Sequence, residues 1–415
     1  MEVLKISTGG GVDDGKSTLI GRILYDTKSL PKDKLESIEN TSKVRGYDYL
    51  DFSLATDGLI AEREQGITID VAHIYFSTKK KSYIIADTPG HIEYTRNMVT
   101  GASTSQVAII LIDARKGVIE QTKRHFTINN LLRVKEIIVV INKMDLVDYR
   151  KERYEEIKKH FNELLINRTY KEQVISFIPL SALKGDNVVV SSKKMPWYKG
   201  STLLDYLENL NHDTLYNKEE TRFSVQYVIR PKTKDFHDFR GYAGKIYGGS
   251  IEVGDEVIVY PSLTKTTIKE IFFHDKKYQQ ASNRSSVTIT LNNDVNISRG
   301  DMLVKANETP KVSRNITSTV CWLNREQLSL DKVYTLQHGI HKVLAKVKRI
   351  NYMVKTDLLD RENNTSVLNI NDIASIDLTL NKSVFYDSFE NHKDNGSFIL
   401  IDNQSNNTVA VGFIK

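Results

Sequence analysis

The sequence predicts an open α/β domain followed by two all-β barrels. Three observations carry that prediction. Over the first half of the chain, short continuous apolar runs alternate with amphipathic stretches, the signature of an open α/β sheet. Beyond Thr221 the runs become short, β-rich and separated by glycine turns such as Gly248-Gly249 and Gly254-Asp255, as in a barrel. Two polar segments without periodicity, Asn211–Thr221 and Lys305–Arg314 with Pro310, read as linkers. The expected domains are therefore 1–211, 220–306 and 314–415.

In the first domain the expected strands are Val3–Thr8, Tyr83–Asp87, Val107–Asp113, Ile137–Asn142 and Val174–Leu180. Each is continuously apolar rather than alternating, which suits strands buried on both faces of a parallel sheet. Helices are expected over Ser17–Tyr25, Tyr94–Ala102, Glu120–Leu132 and Tyr149–Leu165, with the polar stretch Thr27–Tyr49 a surface helix or loop. The first barrel is expected from Phe223–Ile229, Gly241–Tyr247, Asp255–Tyr260, Thr266–Ile271 and Val287–Leu291. The second is expected from Ser318–Leu323, His341–Ile350, Ile373–Leu380 and Ser397–Ile401.

Composition narrows the function. A chain of 415 residues, 40% apolar and 27% charged, can bury large cores without disulfides. Cys321 is the single cysteine, which excludes an internal disulfide and a cysteine-built zinc site. The N-terminus enters a strand pattern at once, which argues against a signal peptide. No apolar run approaches the ~20 residues that span a bilayer. A cytoplasmic protein with no membrane association is expected. The net charge of +6 is mildly basic and does not by itself call for nucleic acid.

Gly10-Gly11-Val12-Asp13-Asp14-Gly15-Lys16-Ser17 fits the pattern G-x-x-x-x-G-K-S/T between a strand and a helix. Phosphate oxygens must meet several backbone N–H groups, so such a loop needs little bulk and unusual dihedrals. Lys16 brings a point charge to the β- and γ-phosphates. The Ser17 hydroxyl can ligate Mg²⁺, and the helix that carries Thr18 aims its positive end at the anion. Asp87-Thr88-Pro89-Gly90 closes a buried strand, where Asp87 can hold Mg²⁺ through a water and the Gly90 N–H can approach the γ-phosphate. Asn142-Lys143-Met144-Asp145 closes another. The Asp145 carboxylate can accept from guanine N1–H and the 2-amino group, which adenine does not offer, at about 1.5–3 kcal/mol per bond. Ser181-Ala182-Leu183 follows the last strand and can set a backbone N–H on guanine O6. Alone these short motifs are weak, and each reads equally as a turn or a helix cap. Their order, each at the carboxyl end of an expected strand, is what points to guanine nucleotide. Thr68, in Arg63-Glu64-Gln65-Gly66-Ile67-Thr68, is positioned to close over Mg²⁺ and γ-phosphate and to release after hydrolysis. His91, directly after Gly90, is placed to orient the attacking water, flanked by Val12 and Ile67. The catalytic expectation is thus Lys16, Thr68 and His91, with Ser17, Thr68 and Asp87 on the metal. The chain reads as an α/β P-loop GTPase domain followed by two all-β barrel domains.

These motifs together resemble the translation-factor class of GTPases, which includes elongation factors Tu and 1A. Within it the chain is most similar to the family of large, GTP-binding subunits of heterodimeric sulfate adenylyltransferase. The similarity is carried by residues 15–22 with Tyr25-Asp26-Thr27-Lys28, by Asp57-Gly58-Leu59 and Ala61–Asp70, by Ile84–His91, and by Ala108–Ala114. It continues in Met195-Pro196-Trp197-Tyr198, Phe239–Gly244, Asn371-Asp372-Ile373 and Gly396–Asp402, reaching into both barrels. Two positions depart from the family: Gly11 stands where a serine is usual, and Ile92 where a polar residue is common.

The resemblance implies GTP and Mg²⁺ as cofactors and a small catalytic subunit as heterodimer partner. That partner would bind ATP and form adenylyl sulfate and pyrophosphate from ATP and sulfate, in sulfate assimilation. GTP hydrolysis on this chain would drive that step. No second phosphate loop is present in the sequence, so no fused adenylyl-sulfate kinase is expected. The alternatives are an elongation-factor-like GTPase carrying aminoacyl-tRNA, a sulfation paralogue serving a specialised metabolite, and a chain that binds nucleotide without turning it over.

Overall fold

The computed structural model describes residues 3–44, 46–47, 49–55, 72–88, 95–210, 220–231, 239–355, 360–363 and 365–415. The described chain separates into two compact units, Met1–Leu215 with Lys355–Asp360, and Tyr216–Val354 with Arg361–Lys415.

The first unit is built on a six-stranded sheet. Its strands are β1 (Val3–Gly9), β2 (Ala72–Ser77), β3 (Ser82–Asp87), β4 (Val107–Asp113), β5 (Glu136–Asn142) and β6 (Val174–Pro179), in the order β2-β3-β1-β4-β5-β6. All neighbours are parallel except β2 with β3. Every residue of β4 and β5 is buried, so their unbroken apolar sequences are explained by helices on both faces. Those helices are α1 (Lys16–Asp26), α2 (Lys32–Val44), α3 (Thr95–Ser103), α4 (Glu120–Leu131), α5 (Lys151–Leu164) and α6 (Leu203–Asn209). The polar stretch Thr27–Tyr49 is therefore largely helical. β2 and α6 have no counterpart among the expected elements. β2 is an edge strand with alternating exposure, and α6 is only seven residues long, started by the Thr202 hydroxyl accepting from the Asp205 N–H.

The parallel strand order turns at β1, which has β3 on one side and β4 on the other. The crevice outside the carboxyl ends of the strands opens at such a switch point, and the loop after β1 lies there.

The second unit holds two antiparallel sheets, each closed on itself. In the first, β7 (Arg222–Ile229), β8 (Gly241–Tyr247), β10 (Glu256–Tyr260), β11 (Thr264–Phe273), β14 (Ser286–Leu291) and β15 (Met302–Lys305) follow the order β10-β15-β7-β8-β14-β11, and β11 pairs back with β10. The hairpin strand β12 (Lys276–Tyr278) extends it, and the short pair β9 (Ile251–Glu252) and β13 (Gln280–Ala281) stands apart. In the second, β16 (Lys311–Trp322), β17 (Val333–His338), β18 (His341–Lys355), β20 (Ile373–Tyr386), β21 (Ser397–Asp402) and β22 (Thr408–Ile414) close through β17 with β18, and β19 (Asp360–Glu362) adds an edge. Closure removes the unpaired edges that invite aggregation.

The expected linker Lys305–Arg314 is corrected at both ends: β15 runs through Lys305 and β16 begins at Lys311, so only 306–310 lies between strands. Pro310, which has no N–H to give a ladder, immediately precedes β16.

The two barrels share a buried polar junction. Arg222 at the start of β7 is 1% exposed and forks onto Asp387 after β20, with Nε–Oδ2 of 2.9 Å and Nη2–Oδ1 of 2.8 Å. The Asn395 amide donates to the same carboxylate at 2.7 Å. Beside it, Ile258, Tyr260, Met302 and Val304 of the first barrel pack with Phe385 of the second.

Candidate guanine-nucleotide site

The phosphate loop joins β1 to α1. Asp13 takes a left-handed φ of 66° and Gly15 one of 93°. A Cβ on Gly15 would lie 2.5 Å from Asn142 Nδ2, so the position admits glycine alone on both counts. Lys16 folds back over the loop, and its Nζ donates to the carbonyls of Gly10 and Gly11 at 3.1 Å each. Burial pushes its ammonium below the usual lysine range, against the pull of Asp87, Asp14 and Asp13. Asp14 is buried, and its carboxylate accepts the Gly11 N–H, stapling the loop from inside. Burial raises the Asp14 carboxyl above its ordinary value, outweighing that N–H and the nearby Lys16. A Cβ on Gly11 would lie 2.7 Å from Gln121 Oε1. Val12 lends its carbonyl to Lys116 Nζ at 3.4 Å. Ser17 and Thr18, both half-buried, occupy the first turn of α1.

Asp87 ends β3 directly opposite Thr8 of β1, whose hydroxyl donates to Asp87 Oδ1 at 2.9 Å. Thr88 donates its hydroxyl to the Thr8 carbonyl, so that side chain secures the strand end. Pro89, Gly90, His91 and Thr68 lie outside the described residues.

Asn142 brings the separate loops together. Its Nδ2 donates to the Asp14 carbonyl at 2.8 Å, and its Oδ1 accepts the Ala182 N–H at 2.9 Å. One amide thus fastens the phosphate loop to the loop after β6. Lys143, at a left-handed φ of 63°, donates to the Asp13 carbonyl. Met144 is fully buried and props the turn from beneath, its N–H on the Leu180 carbonyl at 3.2 Å. Asp145 is half-buried in the following 3₁₀ turn, and its carboxylate makes no hydrogen bond among the described residues. Ser181 gives its N–H to Asp186 at 3.1 Å. With Ala182 spent on Asn142, Leu183 keeps the one N–H of that tripeptide with no hydrogen bond among the described residues.

Sequence reasoning missed Asp113 and Lys116. Asp113 ends β4, its carboxylate fully buried beside Asn142 in the neighbouring strand. A carboxylate closing an otherwise apolar strand was the available signal.

A phosphate loop and a guanine-type loop, clasped together at the switch point of such a sheet and followed in the chain by two closed antiparallel barrels, define a GTPase of the elongation-factor type. The elongation factor Tu GTP-binding domain family matches residues 1–213, and the GTP-eEF1A C-terminal domain-like family matches residues 315–415. The chain is 44% identical over its full length to sulfate adenylyltransferase subunit 1 of Bacteroides fragilis, covering 86% of that protein. It is 45% identical over its full length to the subunit 1 protein of Colwellia psychrerythraea, covering 88% of it. It is also 42% identical over 99% of its length to the bifunctional enzyme CysN/CysC of Mycobacterium tuberculosis, covering 67% of that protein. The chain belongs to the sulfate adenylyltransferase subunit 1 family.

Among the described residues, no helix is long and apolar enough to cross a membrane, and no three His, Cys, Asp or Glu side chains gather into a metal site.

Proposed function

We propose that this chain is the GTPase subunit of a two-subunit sulfate adenylyltransferase. What supports the reading is full-length similarity to subunit 1 proteins in a chain whose phosphate loop, Asn142–Asp145 and Ser181–Leu183 are hydrogen-bonded together. GTP would lie with its phosphates against the backbone of Gly10–Ser17 and under Lys16, at the N-terminus of α1. The guanine would meet Asp145 through N1–H and the 2-amino group, and the Leu183 N–H, which makes no hydrogen bond among the described residues, would be the donor for O6.

The donor set near the phosphates suits Mg²⁺. A hydroxyl (Ser17) and a carboxylate (Asp87) are hard oxygen ligands, and so few protein ligands fit a cation that keeps waters and phosphate oxygens. Ser17, Asp87 and Thr68 would hold it, and it would neutralise charge on the β- and γ-phosphates. Lys16 stabilises the negative charge that builds on the bridging oxygen as the γ-phosphoryl group leaves. His91 orients the attacking water, whose oxygen bonds to the γ-phosphorus as the bond to GDP breaks. Thr68 and Gly90 then lose the γ-phosphate that orders them.

The adenylyl transfer belongs to a separate small subunit. There a sulfate oxygen attacks the α-phosphorus of ATP and pyrophosphate leaves, and GTP hydrolysis on this chain drives that unfavourable step. The test is pyrophosphate release from ATP and sulfate by this chain alone and with its small subunit, each with and without GTP. Release only in the mixture, raised by GTP, is the expected result. Release by the chain alone, or a GTP-indifferent mixture, would overturn the reading.

A further inference from the structure

The Asp113 carboxylate is fully buried at the end of β4. A buried charge of that kind persists only when paired and hydrogen-bonded. Arg115, two residues on, already pairs with it, with Nε–Oδ1 of 3.1 Å, Nη2–Oδ2 of 2.6 Å and its own N–H on Oδ1 at 2.9 Å. Lys143 nevertheless reaches across from the guanine loop and sets its Nζ 3.1 Å from Asp113 Oδ2. The same ammonium donates to the Asp13 carbonyl in the phosphate loop. The register of β4 on β5 makes this possible, because Asp113 stands directly beside Asn142. Lys143 holds a left-handed backbone, which is unfavourable for any residue with a Cβ.

We propose that Asp113 is a positioning residue for nucleotide binding: it holds Lys143 so that one ammonium ties the guanine loop to the phosphate loop. This rests on the guanine-nucleotide reading of the site. Burial alone would raise the Asp113 carboxyl, but the Arg115 and Lys143 cations hold it well below the usual carboxylate range, so it stays charged throughout the working pH range.

The experiment is a double-mutant cycle on GDP affinity, using the full-length wild type, Asp113→Asn, Lys143→Met and the double variant. Each single substitution should weaken GDP by about tenfold, the scale of one lost charge-assisted hydrogen bond. The double variant should bind no worse than Lys143→Met alone. A merely structural Asp113 would give multiplied losses, and that result, or full affinity in Asp113→Asn, overturns the proposal. If Asp113→Asn does not fold, Arg115→Met decides. Arg115 is half-exposed, and its side chain bonds only Asp113 among the described residues. That variant should change GDP affinity less than threefold. A loss as large as that of Lys143→Met would mean Asp113 serves its own loop. Failure of the wild type to bind GDP would instead sink the nucleotide reading itself.

Discussion

At the scale of single residues, the site divides into groups that face the ligand and groups that hold the others still. In the proposed function Lys16 and Asp145 are of the first kind. Lys16→Ala removes the buried cation that the proposed function sets on the β- and γ-phosphates and should weaken GTP by roughly a hundredfold or more, which equilibrium binding of a fluorescent GTP analogue will show. Asp145→Asn replaces two acceptor oxygens with an acceptor and a donor. Guanosine triphosphate should bind about a hundredfold more weakly and xanthosine triphosphate correspondingly better. Retained guanine preference would assign base reading to another side chain. The residue types of these loops are legible in the sequence because phosphate and guanine chemistry restricts them so tightly. Their division of labour is not. The Thr88 hydroxyl, the Met144 side chain and the Ala182 N–H all lie within the motifs, yet each is committed to protein partners. Only the fold determines which member of a motif remains free.

At the scale of elements, the strands that were easiest to read are those buried on both faces. β4 occupies the expected residues Val107–Asp113, and β5 differs only by beginning one residue earlier, at Glu136. β2 escaped because an edge strand with one wet face has a short and weak pattern, and α6 because seven residues make under two helical turns. β16 ran further back than expected because Lys311–Asn315 is mostly exposed, although it pairs with β20 on either side of a register break between Ser313 and Asn315. The junction of β1 with α1 is the element that matters most to the site. Gly15→Ala places a Cβ against Asn142 Nδ2 at a left-handed φ. It should cost about 1–2 kcal/mol in backbone strain and about 1 kcal/mol more if the Asn142 bond to Asp14 breaks. A lowered melting temperature with weakened GDP binding is expected. Unchanged affinity would show that the clasp between loops is dispensable.

At the scale of the molecule, the two barrels act as one piece through Arg222 and Asp387. Removing either partner leaves the other charge buried, and Arg222→Ala should cost about 3–5 kcal/mol. Burial alone would raise the Asp387 carboxyl, but Arg222 and Asn395 hold it below the usual carboxylate range. A carboxyl depressed in the folded state contributes stability that is complete above its unfolded value, near 3.9. That contribution is lost as pH falls through the folded value. Urea unfolding should therefore steepen in pH dependence below about pH 4, and Asp387→Asn should flatten that slope. An equally steep slope in the variant would place the acid sensitivity elsewhere.

In the proposed function, GTP hydrolysis on this chain drives sulfate activation on its partner. A ligand that only accelerates the reaction leaves the final ratio of products to reactants unchanged, whereas coupled hydrolysis displaces it. The decisive measurement is the end-point ratio of adenylyl sulfate and pyrophosphate to ATP and sulfate in the two-subunit complex, with GTP and with a non-hydrolysable GTP analogue. Coupling predicts a ratio well above equilibrium with GTP and the equilibrium ratio with the analogue. The same ratio under both conditions would contradict it.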